Sequence, residues 1–166
     1  MAEWLCSGLQ SRGRRFDSDP RLTCLSGCAH LDRPGPKSMT IRIVRLGTAR
    51  APGEGPRIGT VRRPPRGVPK AKFASENWYD VWLPNLAPLE ATVKLGQRAP
   101  SAREWAVFAR RYRREMAAPA TSRVLDLLAA LSHTAHFSVG CYCEVESRCH
   151  RSVLRALLLA RGAEVK

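Results

Sequence analysis

The sequence predicts a small α/β protein with a Rossmann-like sheet of two or three layers, partly parallel and flanked by helices. In the second half of the chain, segments of helical periodicity alternate with short apolar segments typical of strands. The 166 residues, 44% hydrophobic and 25% charged, suit one globular domain with its own core. We therefore expect a single α/β domain over residues 39–166.

The first 38 residues show no sustained period and end in the cluster Pro34, Gly35, Pro36. We expect a disordered leader here, and Met39, directly before the first strand, suggests that an upstream start site produces it. The segment also contains Cys24, Cys28 and His30. A structural zinc site has four ligands, so these three residues do not predict one.

The first half of the domain predicts three strands. "MTIRIVRLG" alternates from Met39, with Ile41 and Ile43 on one face and Val44 and Leu46 on the other. "IGTV" (58–61) predicts a short second strand, and the third is expected near residues 78–83. Between them, the prolines of "RRPPRGVPKAKF" exclude both a helix and a central strand.

Two helices follow. Ser101 and Glu104 have the spacing of a capping box, and they precede an apolar stripe at helical spacing. The stripe consists of Trp105, Phe108, Tyr112 and Met116. Pro119 ends this helix and begins another, whose inward side chains are predicted to be Val124, Leu127, Leu128 and Leu131. "HFSVGCYC" then predicts a buried strand, and "HRSVLRALLLARGAEV" a closing helix that ends at Gly162.

The charge favours a polyanionic partner. The chain has 28 basic and 14 acidic residues, a net charge of +14, and residues 39–72 alone hold nine basic residues against one acidic. Such a balance favours nucleic acid or a phosphorylated small molecule. A GC-rich coding background, in which arginine outnumbers lysine, is the alternative explanation of the charge.

The composition also bears on the compartment. No apolar run approaches the roughly 20 residues that a membrane helix needs, and the N-terminus lacks a secretory pattern. Six cysteines without an export signal are expected to be reduced thiols. We therefore expect a cytoplasmic protein with no membrane association.

The segment "CYCEVESRCHRS" (141–152) is predicted to join the last strand to the last helix. In α/β proteins, ligands bind at loops after the carboxyl ends of strands, and helix N-termini favour anions. Arg148, His150 and Arg151 could add donors, so a phosphate or carboxylate is the expected ligand. The same environment would favour a cysteine thiolate.

Spacing excludes two thiol motifs in this segment. A phosphatase loop has five residues between its cysteine and arginine, whereas six residues separate Cys141 from Arg148 and four separate Cys143 from it. A thioredoxin motif has two residues between its cysteines, and here there is one. The remaining hypotheses are inert thiols or a reactive loop, with Glu144 as a general base and Cys149 or His150 as the reactive group.

A metal is the third alternative for this segment. Cys141, Cys143, Cys149 and His150 supply four ligands of the kind that zinc prefers. Residues 141 and 143 would share a strand face, whereas 149 and 150 would diverge on a helix. We therefore assign no metal ligand from the sequence, and no cofactor.

Four segments resemble, in the same order, the YeaO-like family (domain of unknown function 488). They are "TVRRPPRGVPKAKF", "WLPNLAPL", "EWAVFARRYRREM" and "CYCEVESRCHRS". The resemblance covers about residues 40–165. It implies a small α/β domain of cytoplasmic proteins and no particular reaction.

The resemblance also implies site residues. In the basic turn these are Arg62, Arg66, Gly67 and Lys70, as ligand-binding residues. In the last loop they are Cys141, Cys143, Glu144, Cys149, His150 and Arg151, of which Cys143, Glu144, Cys149 and His150 are catalytic candidates and Arg151 a ligand-binding one. Relatives commonly have an aspartate and a tryptophan where this chain has Val61 and Pro64, which favours binding without catalysis or a substitute role for Glu144.

The leading hypothesis is an anion-binding or nucleotide-binding domain whose site lies where residues 62–72 approach residues 141–152. The second is a non-enzymatic nucleic-acid-binding module that uses Arg42, Arg62, Arg63, Arg66 and the arginine-rich helix. The third is a thiol or metal site.

Overall fold

A computed structural model describes residues 39–166 of the chain. The predictions for residues 1–38, including the disordered leader and the Cys24, Cys28 and His30 group, lie outside the described residues. None of the helices within residues 39–166 has the length and apolar character needed to span a bilayer.

Four strands form one sheet: β1 Ile41–Arg45, β2 Arg57–Gly59, β3 Val81–Trp82 and β4 Phe137–Cys141. Their order is β1-β4-β2-β3, and all three pairings between these four strands are parallel. The predicted small α/β fold is therefore confirmed, with a sheet that is parallel throughout rather than in part. Because the strands run parallel, the loops after β1, β2 and β4 meet at one edge of the sheet.

Four α-helices accompany the sheet: α1 Glu90–Gln97, α2 Ala102–Met116, α3 Pro119–Leu131 and α4 His150–Leu159. Three short 3-10 helices lie at Lys70–Lys72, Pro84–Leu86 and Glu146–Arg148. The sequence predicted α2, α3 and α4 but not α1. That helix is short, contains Gly96 and buries only Thr92, so it lacks an apolar stripe.

Helix α2 forms as its sequence predicts. Ser101 accepts a hydrogen bond from the backbone N–H of Glu104, whose side chain accepts one in return from the backbone N–H of Ser101. Phe108, Tyr112 and Met116 are buried in the main core, and Trp105 packs against it. This core also contains Ile41, Phe137 and Val139 of the sheet and the inner sides of α3 and α4.

The predicted inner face of α3 is partly wrong. Leu128 is buried and Val124 packs against the core, but Leu127 and Leu131 are 58% and 40% exposed. Leu125 is fully buried instead. The buried positions 125, 128 and 129 form a stripe rotated from the predicted one, and this stripe faces the core shared with α2 and α4.

Residues of loops and strands, rather than of helices, form the second hydrophobic cluster. It consists of Leu46, Val61, Tyr79, Cys141 and Cys149, with Val44, Phe73, Trp78 and Tyr142 packed against it. Two strand glycines permit this close packing. A Cβ on Gly59 would lie 2.5 Å from the Tyr79 ring, and one on Gly140 would lie 2.6 Å from Leu46 Cδ2.

A buried ion pair anchors the segment that joins β1 to β2. Arg57 Nε lies 2.7 Å from Glu54 Oε1, and Ser138 of β4 donates to the same carboxylate oxygen at 2.7 Å. Arg57 Nη1 also donates to the carbonyl oxygens of Thr48 and Asn77. These bonds fix the segments around Thr48 and Asn77 to the sheet, and both segments lead to residues of the cleft described below.

Candidate functional site

A cleft of about 1150 Å³ opens among the loops at the carboxyl ends of β1, β2 and β4. Its wall contains residues within two positions of the ends of these strands: Leu46 after β1, Val61 after β2, and Tyr142 and Cys143 after β4. The basic turn at 62–66 and helix α1 supply the remaining wall. The cleft therefore occupies the position at which parallel α/β sheets bind ligands.

Five cationic side chains and one carboxylate line this cleft. The cations are Arg45, Arg62, Arg63, Arg66 and Lys94, and the carboxylate belongs to Glu90. Local charge of one sign in a concave site concentrates the field and attracts ions of the opposite sign. The cleft is therefore suited to an anionic ligand.

The cations differ in how far they are already paired. Arg45 lies 3.1 Å from Glu144 and Arg63 pairs with Glu90, both at exposed positions. Arg62 donates to the backbone carbonyl oxygens of Ala87 and Pro88. Within residues 39–166, the ion pairs of the structure include neither Arg66 nor Lys94.

His150 has a defined orientation at the floor of the cleft. Thr60 Oγ1 lies 2.9 Å from the Gly140 carbonyl oxygen and 3.2 Å from His150 Nε2. Because a carbonyl oxygen only accepts, the single hydroxyl proton of Thr60 goes to Gly140. The hydroxyl oxygen must then accept a proton from Nε2. Nε2 is therefore protonated, and Nδ1 faces the Cys149 sulfur at 3.7 Å.

Three thiols meet beside His150. The Sγ atoms of Cys141, Cys143 and Cys149 all lie within 4.8 Å of one another. The sequence predicted only that Cys149 and His150 would diverge on a helix, and it did not predict that Cys149 would join Cys141 and Cys143. After β4 ends at Cys141, the chain turns through the 3-10 helix at 146–148, and Cys149, the N-cap of α4, returns to the end of the strand.

The pKa values of the three thiols are shifted in different directions. The Cys141 thiol lies 3.7 Å from the Cys143 sulfur and donates to it, which raises the pKa of Cys141 and lowers that of Cys143 well below its ordinary value. The positive charge of Arg151 lowers the pKa of Cys143 further. A hydrogen bond from Cys141 also lowers the pKa of Cys149. The cluster therefore favours a thiolate at Cys143, which is the exposed member.

Arg151 places a buried positive charge behind this cluster. Its side chain is buried, with the residue only 3% exposed, and Nη2 donates to the Cys143 carbonyl oxygen at 2.6 Å. Nε has no hydrogen-bond partner among the described residues, and Arg151 forms none of their ion pairs. A buried cation without a carboxylate is costly unless another anion balances it. The neighbouring thiols are the groups available for this.

Two aromatic rings also line the cleft. Trp78 and Tyr142 both line it, with ring centroids 5.7 Å apart in an edge-to-face arrangement. Trp78 is only half-buried and serves both the second cluster and the cleft wall.

Most of the site residues expected from the sequence lie at or near the cleft. Arg62, Arg66, Cys143 and His150 line it, and Cys149 and Arg151 lie buried behind it. Gly67 follows the lining residue Arg66 with a φ of 75°, and Lys70 is exposed at the start of the first 3-10 helix. Their roles stay predictions.

The side chains of two residues expected at the site interact with other parts of the protein instead. The side chain of Glu144 is 79% exposed and pairs with Arg45, so it lies in a surface ion pair. Arg148, expected beside the anion, instead donates to the Pro100 carbonyl oxygen and lies over the Trp105 ring. The loop therefore presents fewer cations to the cleft than its sequence suggests.

The sequence did not single out several residues of the site. Lys94 of α1 and Tyr142, directly after β4, line the cleft, and Thr60, directly after β2, contacts His150. Thr60 lies within the segment 58–61 that was predicted as a strand, and nothing in the sequence marked it as a site residue. Lys94 had no signal either, because α1 itself was not predicted.

The family model described as the active DUF488-N3 subclade, DUF488-N3a, matches residues 41–162 of the chain. This match confirms the resemblance drawn from the four sequence segments. No curated protein and no solved structure matches the chain.

Proposed function

This chain belongs to the DUF488-N3a subclade, and we propose that the cleft of this member binds a phosphorylated small molecule of nucleotide size. The observation that carries the proposal is the charge of the cleft: five cations against one carboxylate at the carboxyl edge of a parallel sheet. Arg62, Arg66 and Lys94 form no ion pair among the described residues, and of these three Arg62 already donates to backbone carbonyl oxygens.

The shape and the aromatic residues of the cleft support a nucleotide rather than a bare phosphate ion. Its volume of about 1150 Å³ exceeds what inorganic phosphate needs. Trp78 and Tyr142 provide an apolar wall against which a flat base can pack. The phosphate groups would then lie toward Arg66, Lys94 and the loop before α4.

The loop before α4 supports the anionic end of this ligand. Helix α4 begins at His150, and the side chain of its N-cap Cys149 makes no capping hydrogen bond. The first turn therefore keeps backbone N–H groups that no side chain of the cap satisfies. Together with the positive end of the helix dipole, these groups favour negative charge.

His150 acts in this proposal as a positioning residue. Its Nε2 is engaged by Thr60 and its Nδ1 faces Cys149. Both ring nitrogens therefore have partners within the protein, and Val61 places no proton-transfer group on the adjacent wall. This arrangement supports binding more directly than it supports proton transfer to a ligand.

Isothermal titration calorimetry with ADP, pyrophosphate and adenosine tests the proposal. We expect ADP to bind and adenosine to bind much more weakly, because the phosphates supply the charge. Arg66→Ala and Lys94→Ala should each weaken ADP binding by about tenfold, the value of a charge-assisted hydrogen bond. Arg113→Ala, at an exposed position of α2, is the matched control and should leave the affinity unchanged.

Two results would contradict the proposal. One is that ADP and adenosine bind equally, or that neither binds at millimolar concentration. The other is that Arg113→Ala weakens binding as much as Arg66→Ala does. That second result would show that the general charge of the protein, and not the cleft, attracts the nucleotide.

A second candidate function is nucleic-acid binding, which the exposed side of α2 favours. Five arginines of this helix are exposed: Arg103, Arg110, Arg111, Arg113 and Arg114. Such a face predicts affinity for DNA or RNA that falls steeply with salt. Fluorescence anisotropy with a labelled oligonucleotide would show this, and Arg110→Ala and Arg113→Ala should then reduce both affinity and salt dependence.

A further inference from the structure

We propose that Cys141, Cys143 and Cys149 form a metal site that binds one zinc ion through three thiolates, with its fourth coordination position open to the cleft. The inference goes beyond ligand binding and does not depend on it. Its ligands are the three thiols, whereas the phosphate proposal rests on the cations of the cleft; the N-terminus of α4 favours negative charge in both.

The distances between the sulfur atoms fit this ion. Three sulfurs bound tetrahedrally to zinc at about 2.3 Å each lie about 3.8 Å apart. The Cys141 and Cys143 sulfurs are 3.7 Å apart, and none of the three pairs exceeds 4.8 Å. The most distant pair must therefore close by no more than about 1 Å, which small side-chain rotations can supply.

The charges around the cluster balance this ion. Three thiolates and one divalent zinc carry a net charge of −1, and the buried guanidinium of Arg151 carries +1. This offsets the otherwise uncompensated burial of Arg151, and the N-terminus of α4 at Cys149 also favours the thiolates. A monovalent ion on the same ligands would leave an excess negative charge in a buried site.

The position of the cluster leaves one side of the ion accessible. Cys141 and Cys143 line the cleft, whereas Cys149 is buried behind them. Zinc sites with three protein ligands keep a fourth position for water or a ligand, in contrast to closed structural sites. Here that position would face the same space as Arg45, Arg66 and Lys94.

Cobalt titration of the full, reduced chain tests the proposal. We expect one Co²⁺ per chain, with thiolate-to-cobalt charge-transfer absorption and d–d bands of tetrahedral intensity, both removed when Zn²⁺ is added. Cys143→Ser should abolish these bands while the far-UV circular dichroism stays unchanged, because Cys143 is exposed. Cys149→Ser should abolish them too.

The matched control is the double variant Cys24→Ser/Cys28→Ser. It removes two other cysteines that lie close to each other in the sequence. It should bind cobalt as the unaltered chain does. Three results would overturn the proposal: no cobalt binding, cobalt binding that survives Cys143→Ser, or binding that only the Cys24/Cys28 variant loses. A Cys141–Cys143 disulfide in air-exposed protein, with no metal bound by the reduced form, would also overturn it.

The cobalt spectra also separate this inference from the proposed function. They are recorded without nucleotide, so a failure of ADP to bind leaves the cobalt result intact. Conversely, ADP binding that persists in Cys143→Ser supports the cationic cleft and says nothing against the metal site.

Discussion

Single hydrogen bonds fix the residues at the floor of the cleft. Thr60 donates to the Gly140 carbonyl oxygen and accepts from His150 Nε2. The ring is further held edge-on to Tyr112, at 5.6 Å between centroids. One hydroxyl group at the end of β2 thus determines which nitrogen of His150 faces Cys149.

Replacing this hydroxyl gives a first prediction. Thr60→Val leaves His150 Nε2 and one acceptor position of Gly140 unsatisfied in a buried site. It should therefore lower the free energy of unfolding by about 1–3 kcal/mol. Thr60→Ser keeps the hydroxyl and should recover most of the loss. Urea denaturation measures both variants, and equal stability of the Val and Ser variants would show that the hydroxyl does not hold the ring.

Glu54 gives a second prediction at the residue scale. Glu54→Gln leaves the buried Arg57 guanidinium without its counter-charge and should cost about 3–5 kcal/mol. Asp126→Asn, which removes the more exposed pair with Arg161, is the control and should cost less than about 1 kcal/mol. Similar losses in the two variants would contradict the structural role of the buried pair.

The same carboxylate predicts how stability depends on pH. Burial raises the pKa of Glu54, but hydrogen bonds from Arg57, Ser138 and the Ala51 backbone outweigh it and lower the pKa to about 2. Because the folded pKa lies below the unfolded value of about 4.3, this carboxylate stabilises the fold above pH 4.3. Its contribution is lost as the pH falls toward 2. Denaturation of Glu54→Gln across this range should show a shallower loss than the unaltered chain.

At the scale of elements, the close contact between β4 and the β1 end shapes the cleft. Gly140 lies in β4 opposite Val44 of β1, and it leaves no room for a side chain. A Cβ there would lie 2.6 Å from Leu46 Cδ2 and 3.0 Å from the Val44 carbonyl oxygen. Leu46 lines the cleft, and so does Cys141, the residue after Gly140.

Gly140→Ala gives a third prediction. The added methyl group should cost about 1–3 kcal/mol through overpacking and displace Leu46. Leu46→Ala removes the nearest atom, so the double variant should lose less stability than the sum of the two single losses. Thermal or urea denaturation of the four proteins measures this coupling. Additive losses would place the strain elsewhere.

The elements differ in how far the sequence predicted them. Helix α2, strand β4 and helix α4 were predicted because their apolar residues repeat at a clear period and their ends carry cap or turn residues. Helix α1 was missed because tertiary contacts, such as Glu115 accepting from the Leu89 backbone N–H, hold a segment with no apolar stripe. Strand order was beyond the sequence, because pairing of β4 between β1 and β2 is a long-range property.

The candidate site shows the same division. The loop at 141–152 was located because its thiols, histidine and arginines are dense in sequence. That Thr60, Trp78 and Lys94 reach the same cleft follows only from the topology. The three thiols also come together only because the chain turns at residues 146–148. The spacing of the cysteines in the sequence does not predict this turn.

At the scale of the whole molecule, net charge alone is a weak guide to function. Of the nine basic residues between 39 and 72, Arg57 is buried with Glu54, and Arg50 is bound by Asp80. Arg62 is engaged by carbonyl oxygens. Of the others, Arg45, Arg63 and Arg66 line the cleft at the carboxyl edge of the sheet, and it is this local group of cations, not the net charge, that favours an anionic ligand there.

The most direct test of this account is to titrate ¹⁵N-labelled protein with ADP and follow its amide resonances by NMR. The account predicts shifts concentrated at residues 61–67, at Lys94 and at residues 142–151, with none on the exposed side of α2. Shifts centred on Arg110, Arg113 and Arg114, or spread evenly over the basic surface, would contradict it.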